Sequence, residues 1–84
     1  MVSLVPISKR ISQKAAKYGI EKKLLKQTLY LSQNPQHPSL HVELLEPKQH
    51  GVYSFRIDRK YRALFFYRND VSAIEIIAVT LHYQ

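Results

Sequence analysis

The chain has 84 residues, with 13 Lys and Arg against six Asp and Glu, a net charge of +7 and no cysteine. A chain this short forms one domain, here residues 1–84, with little interior for a large cofactor, and without cysteine it has no disulfide, thiolate zinc site or thiol nucleophile. The charge attracts polyanions, so we expect nucleic acid as the first partner and an acidic protein as the second, although a well-solvated basic surface would give the same count.

Two helices are predicted in the first half of the chain. Segment 2–7 is short, apolar and strand-like, and Ser8 after it is a residue type that caps helices. A first helix is predicted over 9–18, because Gly19 readily takes the left-handed conformation that ends a helix. A second is predicted over 20–34 and ends at an Asn-Pro pair. Its apolar stripe comprises Leu24, Leu25, Thr28, Leu29 and Leu31.

The second half of the chain has the two-residue periodicity of strands. The predicted strands are 41–46, 52–58, 61–68 and 73–82, and their short links favour antiparallel neighbours. The predicted fold class is therefore α+β, with an N-terminal strand and a two-helix hairpin packed on a twisted antiparallel sheet. No apolar run approaches the roughly 20 residues that a membrane helix needs, so we expect no membrane span.

One pair of arginines follows from the predicted hairpin of strands. The apolar side of strand 52–58 is expected to face the helices, and a three-residue turn after it pairs Phe55 with Ala63. Arg56 then stands opposite Arg62 on the other side of the sheet. Like charges directly opposite destabilise a sheet, so this pair is a candidate for holding an anion. Phosphate fits, because its oxygens match the guanidinium fork.

Ordinary ion pairs are the alternative explanation of these two arginines. In that case Arg56 pairs with Glu43 on one neighbouring strand, and Arg62 pairs with Glu75 on the other. The sequence pattern leaves both explanations open.

The run from Gly51 to Phe66 contains Tyr-Ser-Phe-Arg-Ile and Tyr-Arg-Ala-Leu-Phe-Phe, and the chain ends with His82-Tyr83-Gln84. These segments resemble the RelE/ParE superfamily of small toxins from bacterial toxin–antitoxin pairs, and within it the YoeB branch. The resemblance extends over essentially the whole chain and implies the same order of strand, helical hairpin and antiparallel sheet. The RelE branch differs, since it has lysines on its central strands where this chain has Ser54 and Arg56.

The resemblance also implies an activity. Toxins of the RelE and YoeB kind enter the ribosomal decoding site and cleave messenger RNA there without a metal or cofactor. It implies that Arg62 is the phosphate-binding arginine and that His82 and Tyr83 are the His-Tyr ending of the YoeB branch. The catalytic glutamate of that branch falls on Glu43 by an ungapped count and on Glu46 after a three-residue slip.

Metal-free cleavage of RNA needs a base for the 2′-hydroxyl, positive charge at the phosphorus oxygens and an acid for the leaving 5′-oxygen. In this scheme Glu43 is the base, Arg62 stabilises the charge together with Arg56, and His82 is the acid. Tyr83 would stack on a nucleobase. Further RNA contacts are expected from Arg56, Arg59, Lys60, Lys48 and His50. His37 and His41 lie in a loop around Pro38 and predict no metal site.

Each of these residues also has a structural explanation: Glu43 can simply offset nearby arginines, His82 can be a surface residue at a frayed end, and Tyr83 can fold back onto the core. The partners implied by the resemblance are an acidic antitoxin, the ribosome and messenger RNA, in the cytoplasm. Two other functions remain open, a ParE-like inhibitor of DNA gyrase and a catalytically inactive relative that binds the antitoxin. Convergence of a carboxylate, Arg62 and His82 would favour the ribonuclease.

Overall fold

Two helices pack against one face of a five-stranded sheet in the computed structural model of the protein, which describes residues 2–81. In chain order the regular elements are β1 (Ser3–Leu4), α1 (Lys9–Lys17), α2 (Glu21–Gln33), β2 (Glu43–Leu44), β3 (Tyr53–Arg56), β4 (Tyr61–Arg68) and β5 (Ala73–Leu81). Short 3₁₀ turns cover Pro38–Leu40 and Lys48–His50. The predicted fold class is confirmed.

The strand order in the sheet is β1-β5-β4-β3-β2. Strands β2 to β5 form an antiparallel meander, as their short links predict. β1 lies beside β5 and runs parallel to it, which the sequence analysis did not anticipate. The arrangement follows because the helical hairpin carries the chain from one edge of the sheet to the other, and the meander then returns to β1.

The residues predicted to mark the start and end of α1 and the end of α2 are confirmed in these roles. The side-chain oxygen of Ser8 accepts a hydrogen bond from the backbone N–H of Ile11 at 3.2 Å and caps α1. Gly19 has a φ of 71°, the left-handed conformation that turns the chain out of a helix, and Ile20 beyond it is buried. Asn34, just before a proline, is extended and ends α2.

The apolar stripe predicted for α2 is wrong at two positions. Leu25 and Leu29 are 55% and 52% exposed, and Gln27 lies on the buried face instead. The amide of Gln27 donates hydrogen bonds to the backbone carbonyls of Ser39 at 3.3 Å and Arg56 at 2.8 Å. A buried amide is tolerated where it has such partners. The buried side of α2 comprises Leu24, Gln27, Thr28, Leu31 and Ser32.

The β3–β4 hairpin has the predicted register. Phe55 pairs with Ala63, and Arg56 pairs with Arg62 across the two strands. Phe55 and Ala63 are fully buried in the core beneath the helices, so their neighbours in the strands point to the opposite face of the sheet. The turn length therefore decides which face receives the two arginines.

Three strands are shorter than predicted. β2 starts late because His41, at the end of the first 3₁₀ turn, has a left-handed φ of 46°. β3 ends at Arg56 because the N–H groups of Ile57 and Asp58 both turn towards the carbonyl of Tyr61, at 3.0 and 3.3 Å. β1 is limited to two residues, before a proline that has no N–H for the ladder.

The hydrophobic core lies between the helices and the apolar face of the sheet. Phe55 and Phe65 are its largest fully buried side chains, with ring centroids 5.8 Å apart. Tyr18 at the end of α1 stacks on Tyr61 of β4 at 4.9 Å, which joins the helical hairpin to the start of that strand. Within residues 2–81, neither helix combines the length and the apolarity of a membrane-spanning segment.

Candidate functional site

A shallow concavity of about 280 Å³ opens on the face of the sheet away from the helices. It crosses the strands β2 to β5, and Arg62 and Glu43 are its charged residues. The lining comprises Glu43, Leu45, Ser54, Arg62, Leu64, Thr80 and Leu81. An open, partly polar concavity on a basic sheet suits a flexible polyanion better than an enclosed small molecule.

Arg62 lines this concavity and is only 9% exposed. One of its terminal nitrogens, Nη1, donates to the side-chain oxygen of Ser54 at 3.2 Å and to the carbonyl of His41 at 3.5 Å. The other, Nη2, lies 3.8 Å from a carboxylate oxygen of Glu43. Neutral oxygens from β3 and from the end of the first 3₁₀ turn therefore orient the guanidinium, and the carboxylate stands beside it.

Glu43, and not Glu46, is the carboxylate that the sheet brings to Arg62. Glu43 pairs with the buried Ser54 across β2 and β3, so its side chain rises from the same face as Arg62. It remains 62% exposed and open to an incoming ligand. Glu46 lies beyond the end of β2 in an exposed segment. Geometry thus favours the ungapped count, while the catalytic role of Glu43 stays a prediction.

The two ordinary ion pairs considered above do not form. Glu43 pairs with Arg62 and not with Arg56, and Glu75 bonds to Nη1 of Arg68 at 3.1 Å. Arg56 stands opposite Arg62 as predicted, yet its Nε is buried and has no hydrogen-bond partner among residues 2–81. The like-charged pair is therefore present, and the ion pair of Glu43 with Arg62 differs from those that the alternative required.

The remaining predicted RNA contacts fall at two opposite ends of β3. Lys48 and His50 lie in the exposed 3₁₀ turn before this strand, and Arg59 and Lys60 lie in the exposed turn after it. The structure does not bring the four together in one cluster. Arg59 lines a second cavity, and the ammonium of Lys60 lies 5.6 Å from the ring centroid of Tyr61.

The predicted acid His82 and the predicted stacking residue Tyr83 lie outside the described residues. Leu81, which precedes them in the sequence, lines the concavity that contains Arg62. Among residues 2–81, no three histidine or acidic side chains come close enough to hold a metal ion together.

The turn that leads into β4 is held by Asp58. One oxygen of its carboxylate accepts the backbone N–H groups of Lys60 and Tyr61, both at 2.8 Å, and the other lies 3.2 Å from the ammonium of Lys23. Burial acts to raise the pKa of Asp58, but these hydrogen bonds outweigh it and the pKa lies below its ordinary value. Asp58 thereby fixes the register that places Arg62 in the concavity.

Two contacts of Arg62 were missed by the sequence analysis. The contact with Ser54 could have been predicted from the sequence, because strand alternation puts Ser54 on the same face as Arg56. Ser54 pairs with Leu64, which is the next residue after Arg62 on that face of β4. The carbonyl of His41 is not, since it reaches Arg62 through the left-handed residue that ends a 3₁₀ turn. His37, in the same loop, stacks on Tyr30 at 4.3 Å and bonds to Ser39, which gives it a structural role.

At the level of sequence, the chain is similar to a known protein over part of its length. No family model matches the chain. An uncharacterized protein of Haemophilus influenzae is 46% identical over 33 residues, which are 39% of this chain and about a third of that relative's length.

Solved structures match over nearly the full length of both chains. A YoeB/ParE toxin from Agrobacterium tumefaciens has a TM-score of 0.70 at 17% identity, covering 96% of each chain. The YoeB dimer from Staphylococcus aureus has a TM-score of 0.68 at 19% identity, covering 96% of this chain and 94% of that one. The same organism's YoeB–YefM complex gives 0.67 at 19%, covering 99% and 97%. The chain therefore has the fold of the YoeB/ParE toxins.

Proposed function

We propose that this protein is a RelE/ParE-superfamily toxin of the YoeB type, the toxin of a type II toxin–antitoxin pair. In this proposal it cleaves messenger RNA on the ribosome, in the cytoplasm, without a metal or cofactor. The observation that carries the proposal is the approach of Glu43 to Arg62, at 3.8 Å, in an open concavity of a YoeB-like fold.

The first step of the proposed reaction is attack of a ribose 2′-oxygen on the neighbouring phosphorus. Glu43 takes the proton of the 2′-hydroxyl, a task for which an exposed carboxylate at the rim of the concavity is suitably placed. Its oxygen lies too far from Arg62 for a hydrogen bond, so the carboxylate can turn towards a substrate.

The second step is stabilisation of the negative charge that develops on the phosphorus oxygens. Arg62 supplies positive charge from a position that Ser54 and the carbonyl of His41 already fix. Donors held in place before the reaction need no reorganisation in the transition state, and this is why such groups contribute strongly to catalysis. Arg56, opposite Arg62, adds a second positive charge to the same face.

The last step breaks the bond between phosphorus and the 5′-oxygen, which takes up a proton. We assign that proton to His82, because imidazole is the side chain that exchanges protons near neutral pH. Tyr83 stacks on a base of the RNA. The products are a 2′,3′-cyclic phosphate and a 5′-hydroxyl end.

The proposed protein partner is an acidic antitoxin. The S. aureus relative is described in a complex with YefM, and the net charge of +7 on the present chain suits an acidic partner. By the same reasoning the exposed lysines of both helices contact ribosomal RNA.

The test is to add the purified protein to a translation reaction and to map the 5′ ends of the messages. We expect new ends within translated messages and none when initiation is blocked. An absence of new ends with the wild-type protein contradicts the proposal. Inhibition of gyrase supercoiling would then identify a ParE-like protein, and binding of an antitoxin without either activity would identify an inactive relative.

A further inference from the structure

The outward face of β4 departs from the usual pattern of a sheet with one solvated side. Side chains alternate along a strand, so the residues that point away from the helices are Arg62, Leu64, Phe66 and Arg68. Polar residues are expected on the solvated face of an antiparallel sheet. Here two large apolar side chains, each only half-buried, lie between two arginines on the face opposite the hydrophobic core. An apolar surface is therefore kept beside the candidate site.

This surface extends to the neighbourhood of β2. Leu45 follows Glu43 by two residues on the same face, is half-buried and lines the concavity together with Leu64. Its N–H donates to the carbonyl of Val52 at 2.8 Å, so strand pairing holds it in place. We call Leu45, Leu64 and Phe66 the apolar patch. A patch of this kind that is rimmed by polar residues is typical of a binding site.

Small neighbours leave the centre of the apolar patch uncovered. Leu64 pairs with Ser54 on β3 and with Ala78 on β5, so the residues on both sides of it are short. The side-chain oxygen of Ser54 accepts a hydrogen bond from Nη1 of Arg62 at 3.2 Å, and Ser54 is buried. Leu64 thereby forms an apolar part of the floor of the concavity.

The register places Leu64 at the distance of one nucleotide from the proposed chemistry. Glu43 pairs with Ser54, and Ser54 pairs with Leu64, so these three lie in one row across the sheet. Arg62 precedes Leu64 on the same face of β4, about 7 Å away along the strand. In a nucleotide, the carbon that carries the 2′-oxygen is bonded to the carbon that carries the base. A nucleotide with its phosphate at Arg62 and its 2′-hydroxyl at Glu43 therefore brings its base over Leu64.

A nucleobase suits the apolar patch better than any other part of the RNA strand. The patch lies between two cations, which favours a polyanion, and the flat base is the part of that polyanion with a large uncharged surface. The hydroxyls beside it are engaged, since Ser54 accepts from Arg62 and Thr80 donates to the carbonyl of Leu81 at 2.8 Å. The patch thus contacts the face of the base, and contacts of this kind tolerate all four bases.

We propose that Leu64, with Leu45 and Phe66 beside it, is a subsite for the base of the nucleotide whose 2′-hydroxyl faces Glu43. The inference rests on the proposed function and deepens it, because it adds recognition of a base to a site argued so far from charge and proton transfer. The subsite orients the ribose by holding its base, and it does not select a particular sequence.

The test uses two uncleavable probes and methyl NMR of protein with ¹³C-labelled leucine. One probe is a 2′-deoxy dinucleotide with two adenines, and the other is the same molecule without the base on its 5′ nucleotide. Both carry the same phosphate. The variant Leu64→Ala is compared with Leu25→Ala, a matched control because Leu25 is exposed on α2 and lies outside the concavity.

We expect the adenine probe to move the methyl signals of Leu64 upfield, because the ring current of a base acts on protons above its plane. The abasic probe should not do so, and the methyl signals of Leu25 should not move with either probe. The wild type should bind the adenine probe about 5- to 10-fold more tightly than the abasic one, the gain from burying a small apolar surface. Leu64→Ala should lose this ratio, and Leu25→Ala should retain it.

Three results would overturn the proposal: Leu64 signals in the wild type that do not respond to the adenine probe, equal affinity of the wild type for the two probes, or an unchanged ratio in a folded Leu64→Ala variant. A shift of the Leu64 signals when the protein alone is concentrated would also overturn it, since the patch would then be a contact between two copies. The wild-type signals decide the matter even if the variant does not fold.

Cleavage in the translation reaction is scored separately, which keeps the two proposals distinguishable. Cleavage by a wild-type protein that binds both probes equally removes only the base subsite. A wild-type protein that distinguishes the probes but does not cleave removes the proposed function and leaves a surface that binds nucleotides.

Discussion

The two ends of β4 carry two arginines in contrasting surroundings. Arg68, at the end of the strand, bonds to Glu75 through Nη1 and to Asp70 through Nε, each at 3.1 Å. These two carboxylates, Asp70 foremost, raise the pKa of Arg68 further, and Arg68 in turn lowers the pKa of Asp70. This end of the strand is a local ion-pair network.

Arg62, at the start of the strand, is more deeply buried and is placed differently. Its neighbours include two neutral oxygens, from Ser54 and His41, and a carboxylate of Glu43 at 3.8 Å, and it faces Arg56. The comparison teaches that the same residue type on one strand can serve two purposes. Arg68 donates hydrogen bonds to two carboxylates beside it, whereas Glu43 stands 3.8 Å from Nη2 of Arg62, beyond hydrogen-bond distance, on the wall of an open concavity.

The largest expected difference between the two ends is in activity. Arg62→Lys keeps the charge but loses the guanidinium fork, and we expect messenger cleavage in a translation reaction to fall about 100-fold or more. Arg68→Lys makes the same chemical change on the same strand and should cleave at nearly the wild-type rate. Circular dichroism of both variants checks that the fold is retained. Equal cleavage by the two variants would contradict the different roles assigned to Arg62 and Arg68.

The carboxylates at the two ends of β4 should likewise differ in their importance for cleavage, with a large effect at the Arg62 end and none at the Arg68 end. Glu43→Gln is isosteric and removes the proposed base, so we expect cleavage to fall about 100-fold. Glu75→Gln, which removes a partner of Arg68, should leave cleavage unchanged. Cleavage rates of Glu43→Gln and Glu46→Gln, measured side by side, decide between the two candidate bases. A normal rate for Glu43→Gln with a low rate for Glu46→Gln would move the base to Glu46.

Two aspartates near the two ends of β4, Asp58 in the turn before the strand and Asp70 beside Arg68, should differ in their contribution to stability. Asp58→Ala removes the acceptor of two backbone N–H groups in the turn before β4, and we expect the free energy of unfolding to fall by about 1–2 kcal/mol. Asp70→Ala removes an exposed ion pair at the far end and should lower the melting temperature only slightly. Urea and thermal unfolding measure both. A larger loss for Asp70→Ala would contradict the assigned roles.

The smallest expected effect is on the pH dependence of stability. The pKa of Asp58 is lowered in the folded protein, so its stabilising contribution is present above the ordinary value of 3.8 and is lost as the pH falls through the lower folded value. The difference in unfolding free energy between the wild type and Asp58→Ala should therefore be constant near neutrality and shrink below about pH 4. Urea unfolding between pH 6 and pH 2.5 would show it, and a difference that grows in acid would contradict the prediction.

Much of the fold could be predicted because the decisive signals are local. Ser8 and Gly19 mark helix ends through their own side chain and backbone preferences. The turn length between β3 and β4 alone determines that Arg56 faces Arg62, and strand alternation then puts both on the face away from the helices.

What could not be predicted depends on contacts between distant segments. Hydropathy predicts that Leu25 and Leu29 lie on the buried face of α2, but both are exposed and Gln27 is buried there instead. Gln27 is tolerated because its hydrogen-bond partners, the carbonyls of Ser39 and Arg56, come from segments distant in sequence. The parallel pairing of β1 with β5 likewise depends on the path of the whole chain.

The candidate site shows the same division between local and distant signals. Arg62 and its register follow from one hairpin, but the choice of Glu43 over Glu46 depends on how β2 is aligned beside β3. That alignment is set by the 3₁₀ turn between the two strands and by the left-handed residue His41 before β2. A local sequence pattern does not encode these features.

The most direct test of the central claim uses a message with a single 2′-deoxynucleotide on the 5′ side of a mapped cleavage position. If Glu43 and Arg62 promote attack by the 2′-oxygen, cleavage at that position stops, while neighbouring positions and an all-ribose message are cleaved as before and yield 2′,3′-cyclic phosphate ends. Continued cleavage at the deoxy position would show that the strand is broken by other chemistry, and would contradict the role proposed for this pair of residues.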